Sequence, residues 1–505
     1  MQFTEIYYAV FLTVVFLVYW IALNRKVGLQ NILLLAASYV FYGWWDWRFL
    51  ILIIATTLTT YVSGLLARSR YGYAITAANI IVNLGILVAF KYLGFFVENL
   101  QRLVALFGWN LDWFTVSVLV PVGISFYTFQ AIAYSVDVYK QRTEPCRNLL
   151  TFATFIAYFP QLVAGPIERS NQLLPQLASP RVWNRVRASE GLRMILFGVL
   201  KKVAVADPLS IYVERLFNGG DLSNPLLSVA AGILFTLEIY CDFSAYSEIA
   251  KGSSRLLGIN LMTNFRFPLF SRNIVEYWRR WHISLMNWFR DYLYIPLGGS
   301  RKGKFRTYLN ISIVFVLSGL WHGAAWNFVL WGVYWAIINM AGRALFGIKA
   351  TEGRISVSQL PRIAVTFMFV AFGLYIFRCD NFGQLVAGLA NVPAYIVVTL
   401  FLWLAAKMVS AVVTRFGSAL RIALPVAVCA AFVAVTIFNL HLALKCYFLI
   451  PLLFVFAIEW RDRNTDLPFS TQPRNRLMRW CGYWLCMLFV LLSEPIDMQF
   501  IYFQF

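Results

Sequence analysis

"TYLNISIVFVLSGLWHGAAWNFVLWGVYWAIINMAG", residues 307–342, runs for 36 residues without one Asp, Glu, Lys or Arg. Crossing the hydrocarbon of a bilayer takes about 20 helical residues. The run therefore reads as two apolar spans, 307–321 and 323–341, on either side of His322. An ionisable group at membrane depth is by default a functional hypothesis, and histidine is the commonest general base. Gly319 and Gly323 form a small-xxx-small pair that lets another helix backbone approach. Trp321, Trp326, Trp331 and Trp335 are expected to wall His322 with flat rings.

The rest of the chain agrees with this reading. It is 60% hydrophobic and 13% charged, where soluble domains carry about 25% charged residues. Apolar runs recur at 7–23, 31–45, 49–66, 74–93, 115–134, 150–165, 190–206, 226–242, 362–378, 386–405, 422–439, 443–458 and 480–493. The expected fold is all-α and polytopic: about 11 transmembrane helices plus re-entrant or interfacial ones, in a single membrane domain, 1–505. The start lacks the basic region of a signal peptide, so 7–23 is read as a retained first span. Basic loops after the first span and before the last place both termini on the non-cytoplasmic side. That requires an even number of crossings, at least one away from 11.

The formal charge of +20 is spread over short clusters between apolar runs, among them Arg25/Lys26, Arg68/Arg70, Lys140/Arg142/Arg147, Lys201/Lys202, Arg461/Arg463 and Arg474/Arg476/Arg479. Such scatter argues for anionic lipid and against nucleic acid. The seven cysteines form no CxxC or Cys/His pair, so no metal site is expected and they read as buried packing residues.

"FPQLVAGPIER" (159–169) carries Pro160 and Pro166 inside an apolar stretch, which rules against a continuous helix. Backbone broken at membrane depth belongs inside protein or beside a cavity. "SRNIVEYWRRWHISLMNWFRDYLYIPLGGSRKGKFR" (271–306) mixes aromatics with ten charged residues and is read as a cytoplasmic-side amphipathic basic segment. As a helix it puts Trp278, His282, Leu285 and Phe289 on one face, with Arg279, Asn287 and Arg290 off it. Lipid binding explains the arginines but not the inward histidine. Arg279, Arg280, Arg290, Arg301 and Lys302 are candidates for holding the phosphates of a donor. "GGSRKGKF" (298–305) fails as a phosphate loop, since Phe305 stands where Ser or Thr is needed. His441 reads as structural or interfacial. Glu238 and Asp242, four residues apart in "LFTLEIYCDFSAYSEIAKG" (234–252), share a helical face. They are expected to form a buried lock to arginines of a neighbouring segment rather than to do acid/base work.

"YCDFSAYSEIAKG", "EYWRRWHISLMNWFRDYLYIPLGG", "WHGAAWNFVLWGVYWA" and the terminal "FIYFQF" resemble the bacterial alginate O-acetyltransferase branch of the membrane-bound O-acyltransferases. "GISFYTFQAIAYSVDVYK" (123–140) and "FPQLVAGPIER" fit it too, so the likeness runs from about residue 120 to the end. Departures are Ala245 for the more frequent Gly, Glu248 for Asp, and the added Lys251. The resemblance implies a helical ring around a tunnel, with His322 catalytic and His282 as second tunnel histidine. It implies an inner-membrane enzyme that takes acetyl groups from a cytosolic donor, expected to be acetyl-CoA, and passes them outward. A periplasmic acetyltransferase partner would complete transfer to an exported polysaccharide such as alginate or cellulose. In a low-dielectric tunnel a neutral imidazole suits proton abstraction from an acceptor hydroxyl. Two alternatives stay open at this point. One is transfer of D-alanyl or another acyl group to an envelope polymer. The other is a polysaccharide or lipid-linked sugar exporter, although no repeat typical of transporters is visible.

Overall fold

The structure, a computed structural model, describes residues 1–109, 120–349, 351, 353–438, 447–465, 469, 475–493, 496, 498, 500 and 501, without side chains over 416–438. His441 and the last four residues of "FIYFQF" lie outside the described residues. Among the described residues there are helices and no strands, as the composition led one to expect.

The first half holds α1 (Ile6–Leu17), α2 (Val27–Asp46), α3 (Leu50–Leu66), α4 (Gly72–Leu87), α5 (Leu93–Ala105), α6 (Ile124–Tyr139), α7 (Leu149–Ala157) and α8 (Ser170–Ala178). The second half holds α9 (Arg185–Lys201), α10 (Asp207–Gly219), α11 (Pro225–Leu256), α12 (Ile274–Arg280), α13 (Ile283–Phe289), α14 (Gly303–His322), α15 (Trp326–Phe346), α16 (Leu360–Arg378), α17 (Phe382–Ala390), α18 (Val392–Phe438), α19 (Leu449–Asp462) and α20 (Arg476–Leu492). Among the described residues, six helical runs are long and apolar enough to cross a bilayer. One of these, Val27–Leu66, is α2 and α3 together. Asp46 breaks it with extended backbone (φ −158°, ψ 112°) and caps the turn by accepting from Arg48 N. The two spans expected over 31–45 and 49–66 are therefore separate helices.

Two apolar cores organise the packing. One gathers α1–α4 and α6–α8, and the other gathers α9, α10, α15–α17, α19 and α20. α11 and α14 feed both: Phe243 and Tyr246 belong to the first and Phe235 and Ile239 to the second, as do Trp321 and Phe315 respectively. At 32 residues, α11 is about 48 Å long, more than the hydrocarbon thickness, and packs along α9, α10 and α16. The proline-bearing stretch behaves as expected: α7 ends at Ala157, residues 158–169 are non-helical, and nearly all of them are buried. Protein, not lipid, surrounds this irregular backbone.

Four expectations need correcting. The segment 271–306 is not one helix: the backbone turns left-handed at His282 (φ 43°, ψ 52°), splitting α12 from α13. Its division into inside and outside holds all the same, with Trp278, His282, Leu285 and Phe289 buried and Arg279 and Arg290 exposed. Lys201 and Lys202 are not lipid-facing but 0% and 2% exposed. Asp242 pairs with Lys202 at 2.7 Å, not with an arginine, and Glu238 makes no ion pair among the described residues. Of the cysteines with described side chains, Cys481 is exposed rather than packed.

Candidate active site

His322 is the last residue of α14, and its place follows from how α14 meets α15. A Cβ on Gly319 would strike the Phe328 carbonyl, and one on Gly332 would strike the Phe315 carbonyl. Only glycine at both positions lets the two backbones come this close. The turn is equally tight at Gly323, where a Cβ would meet the Phe328 ring. His322 is thereby held in a buried position, 7% exposed. Its ring is bounded edge-on by Trp321 (centroids 5.0 Å), Phe377 (5.1 Å) and Trp331 (5.2 Å). Of the four indoles expected around it, Trp326 instead donates to Asn99 Oδ1, and Trp335 packs on Tyr277 and Trp278. Phe377 from α16 supplies the third wall.

The carbonyls at the end of α14 lack intrahelical partners, and residues far away in sequence satisfy them. Lys91 Nζ donates to the carbonyls of Trp321 and His322, each at 2.9 Å, and Tyr92 Oη donates to that of Leu320 at 2.8 Å. Lys91 and Tyr92 sit in a widened turn, Val88–Tyr92, between α4 and α5. Such turns recur at functional sites. A cation at a helix C-terminus also complements the helix dipole. The uncharged 307–342 run thus receives its charge from outside, which no local pattern announced.

His282 reaches the same Trp321 ring. It is 1% exposed and lies edge-on to Trp321 (5.8 Å) and Phe243 (4.9 Å). Positive φ is uncommon for a non-glycine residue and clusters at functional sites when the surroundings enforce it. Asn264 is part of that enforcement: its Oδ1 faces His282 Nδ1 at 3.2 Å and accepts from Ser284 Oγ at 2.8 Å, and its carbonyl accepts from Ile283 N at 2.9 Å. Both imidazoles therefore share the Trp321 indole, at the seam of the two cores.

The supporting carboxylates lie along α11. Asp242 accepts from Lys202 and, at 2.7 Å, from Ile501 N, so the C-terminal residues dock on the same motif. Lys202 also pairs with Asp207 at 2.7 Å, and Lys201 bridges Glu248 (2.8 Å) and Glu459 (2.5 Å). This largely buried network ties α9, α11 and α19 together. In the 158–169 stretch the buried Glu168 accepts from Met262 N at 2.6 Å. Neither Glu168 nor the Lys201 network stood out in the sequence.

The five basic candidates separate. Arg280 is engaged by Glu276 (2.9 Å) and Arg290 by Asp291 (2.8 Å). Arg279, Arg301 and Lys302 are exposed and make no ion pair among the described residues. Positive charge is thus exposed in the last turn of α12, at Arg279, and just before α14, at Arg301 and Lys302.

Comparison with known proteins adds four facts. The membrane-bound O-acyltransferase family matches residues 146–378. Probable alginate O-acetylase AlgI of Pseudomonas putida is 41% identical over 360 residues, 70% of this chain and 72% of that protein. The peptidoglycan O-acetyltransferase of Helicobacter pylori is 30% identical over 410 residues, covering 75% and 77%, and the teichoic acid D-alanyltransferase of Bacillus subtilis is 27% identical over 280 residues, covering 52% and 69%. With apolar spans, two histidine motifs brought onto one indole and these relatives, the chain belongs to the membrane-bound O-acyltransferase family and is a multi-pass membrane O-acyltransferase.

Proposed function

We propose that the enzyme moves an acetyl group from cytosolic acetyl-CoA across the bacterial inner membrane for O-acetylation of an exported polysaccharide. The helices would form a ring around a tunnel in one membrane domain, 1–505, with the 271–306 segment on the cytoplasmic side. The observation that carries this reading is the pair of buried histidines set against Trp321 where the two cores meet. In it, His322 is the general base. The acceptor hydroxyl attacks the thioester carbonyl, its proton passes to the imidazole, and the carbon–sulfur bond breaks to release the thiolate of CoA. A positioned base of this kind contributes about a hundred- to ten-thousand-fold. His282 positions the reactants, and Arg279, Arg301 and Lys302 gather the donor's phosphates at the entrance. Glu238, Asp242, Gly323 and Trp321 act as support.

Acetyl as the cargo is supported by relatives named for O-acetylation of alginate and of peptidoglycan, each covering 70% or more of this chain. The D-alanyl reading draws on a relative that covers 52% of it. A periplasmic acetyltransferase would receive the group outside, and anionic lipids would surround the exposed basic loops. The test is ester-linked acetate on the exported polymer in cells carrying His322→Ala at normal protein level. Near-complete loss is expected; retention above about a tenth of wild type is incompatible with a base whose removal costs at least about a hundredfold.

A further inference from the structure

We propose that Asn264 is a positioning residue that fixes the tautomer of His282, keeping the proton on Nδ1 and leaving Nε2 as the ring's acceptor nitrogen. The assignment follows from hydrogen-bond direction. The atom of Asn264 that faces His282 Nδ1 at 3.2 Å also receives Ser284 N at 3.3 Å and Ser284 Oγ at 2.8 Å. A backbone N–H only donates. The shared atom is therefore the amide oxygen, and the ring nitrogen opposite it must carry the hydrogen. The amide nitrogen points the other way and donates to Ser247 Oγ on α11 at 3.5 Å.

The same residue holds the main chain. The Asn264 carbonyl accepts from Ile283 N, the residue after the left-handed turn at His282. With Asn264 and His282 both nearly fully buried, water is poorly placed to take over these bonds. The turn at His282 and the ring tautomer are thus both held by Asn264, through its main-chain carbonyl and its side-chain amide respectively. In histidine sites generally, the tautomer is set by the bond the second nitrogen makes.

This inference rests on the reading of His282 as a working member of the site, and it narrows that residue's duty. An Nε2 without a proton accepts from an O–H and offers nothing to a carbonyl oxygen. Holding the acceptor hydroxyl or a water fits; donating to the thioester carbonyl does not.

The chain has only three histidines, so the full-length protein labelled with 15N-histidine and purified in detergent gives at most three pairs of ring signals, with His282→Gln identifying one. The expected result is a His282 ring protonated at Nδ1 and bare at Nε2. Asn264→Asp, which keeps an acceptor, should preserve that pattern. Asn264→Leu, which has none, should shift it toward the other tautomer and cut polymer acetylation by about a hundredfold, since a wrong tautomer in a hydrolase triad costs up to about ten-thousand-fold. A wild-type ring protonated at Nε2, or an Asn264→Leu spectrum unchanged from wild type, overturns the proposal; the first needs no variant to fold. Failure of the underlying reading looks different: His282→Ala would keep polymer acetylation whatever the spectra show.

Discussion

Lys91 Nζ lies 2.9 Å from the backbone carbonyl of His322, although 231 positions separate the two residues. With the matching bond to Trp321 and the bond from Tyr92 to Leu320, it fastens the end of α14 to the first half of the chain. The His322 motif is therefore held by a part of the protein outside the family match at 146–378.

Lys91→Met should lower acetylation roughly ten- to a hundredfold at unchanged protein level, because hydrogen bonds to a charged group contribute about 1.5–3 kcal/mol each. Lys91→Arg, which keeps the charge and the donors, should recover most of it. Acetate content of the polymer at matched expression checks both. Equal damage from Met and Arg would mean that shape alone matters there.

The buried network on α11 predicts a stability effect instead. Lys201→Met strands Glu248 and Glu459 without their cation and should cost about 3–5 kcal/mol, the usual penalty for breaking one side of a buried pair. The melting temperature of detergent-purified protein should fall sharply. Asp242→Asn should be milder, since Lys202 keeps its pair with Asp207.

Gly319→Val tests the α14–α15 contact. Its side chain has to enter space held by the Phe328 carbonyl, so the helices must part, at about 1–3 kcal/mol for overpacking. Activity should drop further than stability, since the displaced helix end carries His322. A variant with wild-type melting and wild-type acetylation would show that the approach is looser than described.

Orientation is checked by cysteine labelling. Ser300 is exposed in the turn before α14, and in a background without the native cysteines, exposed Cys481 included, Ser300→Cys should react with a membrane-impermeant reagent from the cytoplasmic side. Labelling only from the periplasm would reverse the placement of the 271–306 segment and with it the donor entrance.

Much of this architecture was legible because apolar runs, prolines and histidines report locally. The interruption at 159–169 was visible from Pro160 and Pro166, and the close approach at Gly319 from its spacing to Gly323. The break at His282 was not, since residues 274–289 contain neither Gly nor Pro and their helical periodicity runs straight through. What splits them is Asn264, a long-range partner. Lys201 and Lys202 looked like loop charges because the carboxylates that neutralise Lys201, Glu248 and Glu459, are 47 and 258 positions away. Lys91 was missed for the same reason. Local sequence shows where a charge is, not which distant carbonyl or carboxylate it meets.

The most direct measurement is acetate on the exported polymer from strains carrying His322→Ala, His322→Gln, His282→Ala or His282→Gln at matched protein level. An amide has no useful basicity near neutral pH, but it hydrogen-bonds with similar reach. Both His322 variants should therefore be inactive, His282→Ala should be severely weakened yet less so, and His282→Gln should recover part of the loss. Activity in His322→Gln together with a dead His282→Gln would contradict the account and make His282 the base.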